Sequence, residues 1–433
     1  MFEELKGKRL LLLGGQGMMR QLTEEANKLG IYTIVTDYHT DLSLSPGKAV
    51  AAERWDISWS DTAALAAKCA ERQVDGVFAA FSEFRVRAAR ILCDRLGLPF
   101  YATLEQIDLT RNKEEFKELC RRSGVNVVEE FHLSAEPTRE ELDALVYPVV
   151  IKPADNAGSR GISVCYDEEE LLAGVSKALS FSESRSLVVE RYMDCPEVNA
   201  SYTIQDGRIS LSCVSDAIPG AQRHGQIKLT DGWLFPSRYL RQFIDRCDAG
   251  LRRMIRNAGI RNGFLFITGF YDKPDFRIFE MGYRLGGGTT YNFIAKNNGI
   301  NYMQMMLAHS LTGRMAGWDA EACDDPFFRY PCCNLTVVAR PGVIGHIGDM
   351  KALRAMDGVL SVDQLYSEGQ EIPDSGDLRQ TFARVNIIAE SAEQLAERIL
   401  AAYRLIELRD ADGKDMLLSR LDREKIAGYW EAV

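Results

Sequence analysis

The stretch YPVVIKPADNAGSRGIS, residues 147–163, sets an apolar strand, one lysine and a loop of small residues in immediate succession. Val149, Val150 and Ile151 read as a buried strand that Pro153 ends. Asn156, Gly158, Ser159 and Gly161 then form a loop whose backbone N–H groups can approach phosphate oxygens, because little side chain intervenes. Lys152 adds a point charge at the strand exit. The P-loop pattern is excluded, since there the glycines precede the lysine and open a helix. Taken alone, the segment also reads as a hairpin with a solvated loop, so its company in the chain must decide.

Downstream, SLVVERYMDCPE (186–197) gives a second apolar strand that exits through Glu190, Tyr192 and Met193 to Glu197. Backbone groups around residues 191–193 suit the edge of an adenine, the two side chains suit its face, and Glu197 can accept from ribose hydroxyls. A third piece, RIFEMGYRLGGGTT (277–290), follows a strand-turn-strand pattern. Glu280 at its strand exit is a hard oxygen donor for Mg²⁺, and Arg284 suits bidentate contact with phosphate or carboxylate oxygens. Gly286, Gly287 and Gly288 permit close approach of a substrate. Each piece has a bland alternative: an acidic strand end in solvent, or a Glu280–Arg284 pair beside a turn.

Together the three segments resemble the ATP-grasp superfamily of carboxylate–amine ligases, which includes the large subunit of carbamoyl-phosphate synthase. RNKEEFKELCRRSGV (111–125) looks like the helix that opens the family's ATP-binding unit, which implies that Lys113 reaches the nucleotide phosphates. The resemblance implies a second phosphate lysine in Lys152 and a phosphate-covering loop over residues 156–161. It also implies an adenine hinge at Glu190, Tyr192 and Met193, a ribose contact at Glu197, a metal ligand in Glu280 and a phosphoryl contact in Arg284. Where the family pattern carries a second carboxylate and an asparagine near Glu280, this chain has Thr268 and Gly282. That departure thins the Mg²⁺ site, although Mg²⁺ can keep waters and lean on substrate phosphates.

A chain of 433 residues exceeds what one hydrophobic core usually organises. The expected architecture is mixed, α/β and α+β, in three parts. Residues 1–105 read as a Rossmann-like domain preceding the ATP-grasp domain, 106–312 as that domain with a small subdomain at about 115–190, and 313–433 as a small α+β domain. The net charge of −10 argues against a nucleic-acid surface, for which a basic stripe is expected. No apolar run reaches the roughly 20 residues that span a bilayer, and the amino terminus lacks a signal peptide's pattern, so a cytoplasmic protein is expected. Ten cysteines without a C-x-x-C pair indicate neither a zinc site nor a disulfide framework.

In the first domain, Arg9–Leu13 breaks into GGQGMMR, and a second strand from Tyr32 ends at Asp37. The G-G-Q-G spacing does not match the dinucleotide fingerprint, so an oxidoreductase ranks last. Ser82 and Glu83 lie past the carboxyl end of the strand Gly76–Ala80, the side on which open α/β sheets bind ligands. Glu83 is therefore a candidate partner for a substrate amine, or it simply favours the start of the following helix. Residues 216–236 read as irregular and carry Arg223, His224 and Lys228, which either hold phosphates or decorate a solvated hairpin. Lys228 is the catalytic candidate among them.

The reading is thus an ATP- and Mg²⁺-dependent ligase. It joins an amino acid or small carboxylate to an amine through an acyl phosphate, with a homodimer in keeping with the family. A formate- or bicarbonate-using enzyme and an ATP-binding protein without ligase chemistry are the alternatives.

Overall fold

The computed structural model describes residues 2–154, 161–182 and 184–431. Its first sheet is built from β1 (Arg9–Leu13), β2 (Tyr32–Thr36), β3 (Glu53–Trp55) and β4 (Gly76–Phe78), all parallel, in the order β3-β2-β1-β4. Leu10 to Leu13 are buried without interruption, as a parallel strand covered on both faces requires. The helices Met19–Lys28, Thr62–Glu71 and Glu83–Leu96 connect these strands and follow β4. The strand end at Phe78 and the helix start at Glu83 leave residues 79–82 as the connecting turn, and Phe81 within it has a positive φ of 62°.

A small lobe follows, with β5 (Glu130–Phe131), β6 (Val149–Pro153), β7 (Ser163–Cys165) and β8 (Leu187–Arg191) antiparallel in the order β5-β8-β6-β7. Alternation along β6 sends Val149 and Ile151 into a core shared with Leu171, Val175 and Val189. It leaves Lys152 on the opposite face. The helix Lys113–Arg122 runs into this lobe and starts at Asn112, whose side-chain oxygen accepts from the amides of Glu114 and Glu115.

The body of the molecule holds β9 (Glu197–Gln205), β10 (Arg208–Pro219), β11 (Thr230–Phe235), β12 (Gly263–Asp272), β13 (Asp275–Gly282) and β14 (Cys332–Val338). Beyond these come β15 (Gly342–His346), β16 (Val359–Gln364), β17 (Glu371–Ile372), β18 (Thr381–Ile388) and β19 (Arg409–Asp410). One eight-stranded sheet runs β13-β12-β9-β10-β11-β14-β18-β16, and a small sheet runs β17-β15-β19. The strands after residue 313 thus continue the central sheet, while a separate core around Leu353, Phe382, Ile399 and Tyr403 packs beneath them.

Of residues 216–236, read from sequence as irregular, only the two ends are strand, since β10 extends to Pro219 and β11 fills Thr230–Phe235, while residues 220–229 with Arg223, His224 and Lys228 are irregular as expected. Two buried acids hid the alternation. Asp216 accepts from Ser237, Tyr429 and the Arg238 amide, and Asp231 accepts from Ser419, so both sit inside strands with their polar groups satisfied. No helix among the described residues is long and apolar enough to cross a membrane.

Candidate active site

Lys152 leaves β6 and meets Glu190 of the neighbouring β8 at 2.5 Å. The other oxygen of Glu190 takes Lys117, also at 2.5 Å, and Lys117 is paired a second time with Glu130 at 2.9 Å. Lys117 is fully buried, while Lys152 and Glu190 are nearly so. Burial alone would raise the Glu190 carboxyl, but Lys152 and Lys117 outweigh it and hold the group below the usual carboxylate range. Glu190 was expected against the adenine. The structure instead occupies both of its oxygens with ammonium groups, so it fixes Lys152 in place.

Lys113, in the first turn of its helix, stands in the same field. Its ammonium is pushed down by burial and then by the charge of Lys152, and is partly restored by Glu280 and Glu190. Lys113 and Lys152, beside one carboxylate on β13, can form a seat for a polyanion. Phe279, next to Glu280, lies 5.7 Å from the Lys152 ammonium, which ties the small lobe's sheet to β13 across the cleft.

At the hinge, the Arg191 amide donates to Glu129 and the Tyr192 amide to Pro148, at 3.0 and 3.1 Å. Of these backbone donors only the Met193 amide is unbonded among the described residues. That narrows the expected adenine contact to Met193. A cavity of about 340 Å³ lined by Glu129, Arg191, Met193 and Arg277 opens there. The Tyr192 hydroxyl accepts from Gln222 rather than standing free.

The register of β9, β12 and β13 explains the two departures at the metal position. Asn199 pairs with Thr268, and Thr268 pairs with Glu280. The Asn199 side chain donates to the Thr268 hydroxyl at 2.9 Å, so the position of the missing carboxylate is taken by a neutral hydrogen bond. At Gly282 a Cβ would lie 2.2 Å from Phe266 Cζ, so the ring fills the space an asparagine would need. Glu197, at the head of β9, is half-buried, and burial together with the charge of Glu280 pushes its carboxyl up to about 7. It therefore lies within the field of Glu280, the expected metal ligand. No group of three His, Cys, Asp or Glu ligands occurs among the described residues. The donor set fits a Mg²⁺ carried by Glu280, phosphate oxygens and water.

Arg284 is held by Glu83, with Nη2 at 2.5 Å and Nε at 2.7 Å from the same carboxylate oxygen. The two residues expected on opposite sides of a substrate are thus brought together, across the boundary between the first domain and the body. The following loop is fixed from both sides. Phe81 donates its amide to Leu285 and Met18 packs against Gly287, while Gly286 lies against Phe266. From the carboxyl-terminal strands, Asn334 donates to the Gly288 carbonyl and to Asn386, which in turn donates to Thr289. Thr289 has a positive φ of 50°, a conformation this buried network holds in place.

Lys228 does not join the cluster. Its ammonium pairs with Asp194 of the hinge, while His224 pairs with Glu170 and Arg223 with Asp374. The basic loop is therefore neutralised by acids of the small lobe and the carboxyl-terminal region, and the expectation of a catalytic Lys228 has no contact to support it. Asn156, Gly158 and Ser159 lie outside the described residues, and Gly161 packs against Pro153 and Phe181. Two contributors were missed from sequence. Lys117 had a usable signal, because it follows Lys113 by four positions and so shares its helix face. Asn199 had a weaker one, two residues after Glu197 on the same strand face.

Residues 112–208 match the family described as the carbamoyl-phosphate synthase L chain, ATP binding domain. The carbamoyl phosphate synthase large chain of Clostridium beijerinckii is 28% identical over 152 residues, which is 35% of this chain and 14% of that protein. The matched part is thus a small fraction of that relative's length. An L-amino acid ligase from Bacillus licheniformis superposes with a TM-score of 0.77 at 18% identity, covering 94% of this chain and 99% of that one. The biotin carboxylase domain dimer of Hydrogenobacter thermophilus 2-oxoglutarate carboxylase, solved with MgADP, ADP and bicarbonate, gives 0.73 at 17% identity, covering 94% and 96%. The lysine pair, the hinge and the β12–β13 hairpin thus sit in a molecule with the ATP-grasp fold, whose residues 112–208 resemble the ATP-binding domain of the carbamoyl-phosphate synthase large chain.

Proposed function

We propose that this protein is an ATP-dependent ligase that joins a small carboxylate, such as an amino acid, to an amine. The observation that carries the proposal is the convergence of Lys113, Lys152 and Glu280 on one cleft, with Arg284 four residues along the chain from Glu280. ATP supplies the phosphoryl group that turns a carboxylate into an acyl phosphate, from which an amine displaces phosphate. The chain's own groups do the rest by positioning and charge neutralisation. Lys113 and Lys152 take the phosphate oxygens, and Glu190 keeps Lys152 aimed. The Met193 amide marks the base, and Glu280 with Glu197 beside it offers oxygen to Mg²⁺. Arg284, oriented by Glu83, neutralises the transferred phosphoryl or the acyl oxygen. No side-chain nucleophile is needed, and the buried thiols Cys120, Cys213 and Cys333 have their acidity suppressed by burial.

The neutral Asn199–Thr268 pair and the ring against Gly282 favour a second reading, a nucleotide-binding protein without ligase chemistry. Phosphate release from ATP and Mg²⁺ is to be measured with a panel of amino acids, bicarbonate, formate and amines, with product masses recorded. Release that depends on a particular pair, with a condensed product, is expected. ATP binding without release across the panel overturns the ligase in favour of the second reading. Lys152→Ala is expected to weaken ATP binding at least tenfold and Glu280→Gln to remove turnover. Unchanged turnover in both variants would remove the site assignment.

A further inference from the structure

A second cationic group faces the substrate side of Arg284. Arg85, in the first turn of the helix Glu83–Leu96, folds back over the turn that ends β1. A Cβ on Gly14 would lie 2.2 Å from Arg85 Nη1 and 2.8 Å from its Cδ, so a side chain there would push the guanidinium from its place. Gly14 also has a φ of +88°, which a side chain would strain. The turn is thus shaped twice over around this arginine.

The acids around Arg85 do not engage it. Asp37 faces it, but one oxygen of that carboxylate takes the Gly15 amide at 2.7 Å and the other the His39 amide at 3.0 Å. Glu83 faces it too, with one oxygen held by both Arg284 contacts. Tyr38 and Arg284 complete its electrostatic surroundings. Among the described residues Arg85 makes no hydrogen bond or ion pair, although burial and the neighbouring Arg284 press its guanidinium toward the neutral form. Five N–H donors on a half-buried cation with no protein partner stay open to water and to the acceptor oxygens of a ligand.

We propose that Arg85 is the anchor for an oxyanion on the amine-bearing substrate, a carboxylate or a phosphate monoester, gripped at the Gly14 turn while the amine is presented toward Arg284. The location fits, because the turn follows the carboxyl end of β1, and Met18 of the same turn already touches the Gly287 segment that follows Arg284. A planar fork on a rigid turn favours a planar carboxylate or a phosphate through paired N–H···O bonds. The acceptor then carries its own negative charge. This inference rests on the ligase reading for the identity of the ligand as a substrate, but binding tests it separately.

The test is calorimetric titration of the full chain, loaded with a non-hydrolysable ATP analogue and Mg²⁺. The probes are L-amino acids, their neutral carboxamides, and O-phosphoethanolamine, against the wild type and Arg85→Gln, Arg85→Lys and Arg85→Ala. At least one oxyanion-bearing probe is expected to bind the wild type ten-fold or more tighter than its neutral counterpart. Arg85→Gln and Arg85→Ala are expected to lose that preference and Arg85→Lys to keep part of it, with affinity for the ATP analogue and melting temperature unchanged in the Gln variant. Preference for the amino acid over its amide identifies a carboxylate, and preference for O-phosphoethanolamine a phosphate. Equal binding of an oxyanion probe to the wild type and Arg85→Gln, or no binding of any such probe to the wild type, overturns the proposal. Binding that requires Arg85, together with no phosphate release in the separate panel run with ATP itself, would instead overturn the ligase reading and leave the anchor standing.

Discussion

The most consequential single side chain in the cleft is Glu190, because among the described residues it is the only carboxylate shared by two buried ammonium groups. Lys117 is completely buried, and its remaining partner, Glu130, already serves Arg121 as well. Replacing Glu190 by glutamine removes the negative charge while leaving two cations in a low-dielectric site. Breaking a buried pair from one side costs about 3–5 kcal/mol, far more than the pair contributes over an apolar substitute. Glu190→Gln is therefore expected to lower the denaturation midpoint markedly and to weaken ATP binding by letting Lys152 swing from its position. A denaturation curve followed by circular dichroism, alongside nucleotide titration, reads both effects. A variant as stable as the wild type would mean that the lysines find other acceptors, and the positioning role of Glu190 would be lost. The glutamate at the hinge exit behaves differently: Glu197 has no ammonium partner among the described residues, so burial and Glu280 drive its acidity the opposite way from that of Glu190.

Among elements, the β12–β13 hairpin shows why part of the site was legible in the sequence and part was not. Lys113, Lys152, Glu280 and Arg284 stand in local contexts that announce them: a helix start, a strand exit before small residues, and a strand exit before glycines. The pairs that finish the site join residues far apart in the chain whose local surroundings are ordinary. Asn199 meets Thr268, Lys117 meets Glu190, Glu83 meets Arg284, and Arg85 meets Gly14, and none of these is written in a spacing. The strand ends inside 216–236 were hidden for a related reason, since the buried aspartates there find partners as distant as Tyr429. Gly282 was read as a missing ligand, whereas across the hairpin it is the partner of Phe266, whose ring also carries Arg284 at 5.2 Å. Gly282→Ala forces a methyl into that ring and is expected to cost about 1–3 kcal/mol through overpacking. Combining it with Phe266→Leu should recover part of that loss, as coupled neighbours do. Thermal unfolding of the single and double variants measures the coupling, and simple additivity would show that the ring does not define the space at Gly282.

Across the whole molecule, the first domain and the body share one hydrophobic core, which runs from Leu10 through Phe264 to Cys332, while the small lobe and the carboxyl-terminal region each have their own. The helix Tyr302–Thr312 is the joint within the shared core. The Tyr302 ring stacks on Phe264 of β12 at 3.8 Å, and the Ser310 carbonyl lies 2.3 Å from where a Cβ on Gly76 would be, so β4 rests directly on this helix. His309 is buried in that joint with its Nδ1 unpartnered, and burial lowers its pKa to about 4, with only Asp206 opposing. The unfolded chain takes up the proton near its ordinary pKa of about 6.5, whereas the native joint refuses it until about pH 4. Between those values the unfolded state binds more protons, so the stabilisation is complete above about pH 6.5 and is lost as the pH falls toward 4. The full loss is on the order of 3 kcal/mol. Because the joint serves both the first sheet and β12, acid is expected to loosen them together rather than to release the first domain alone. His309→Gln removes the titration, so the wild type's melting temperature should fall more steeply than the variant's between pH 6.5 and 4.5. Protection factors of amides in β1 and β12, corrected for the intrinsic exchange rate at each pH, should fall in parallel over that range in the wild type. Parallel melting profiles for the two proteins would show that His309 is protonated in the native state after all, and that the acid sensitivity of the joint lies elsewhere.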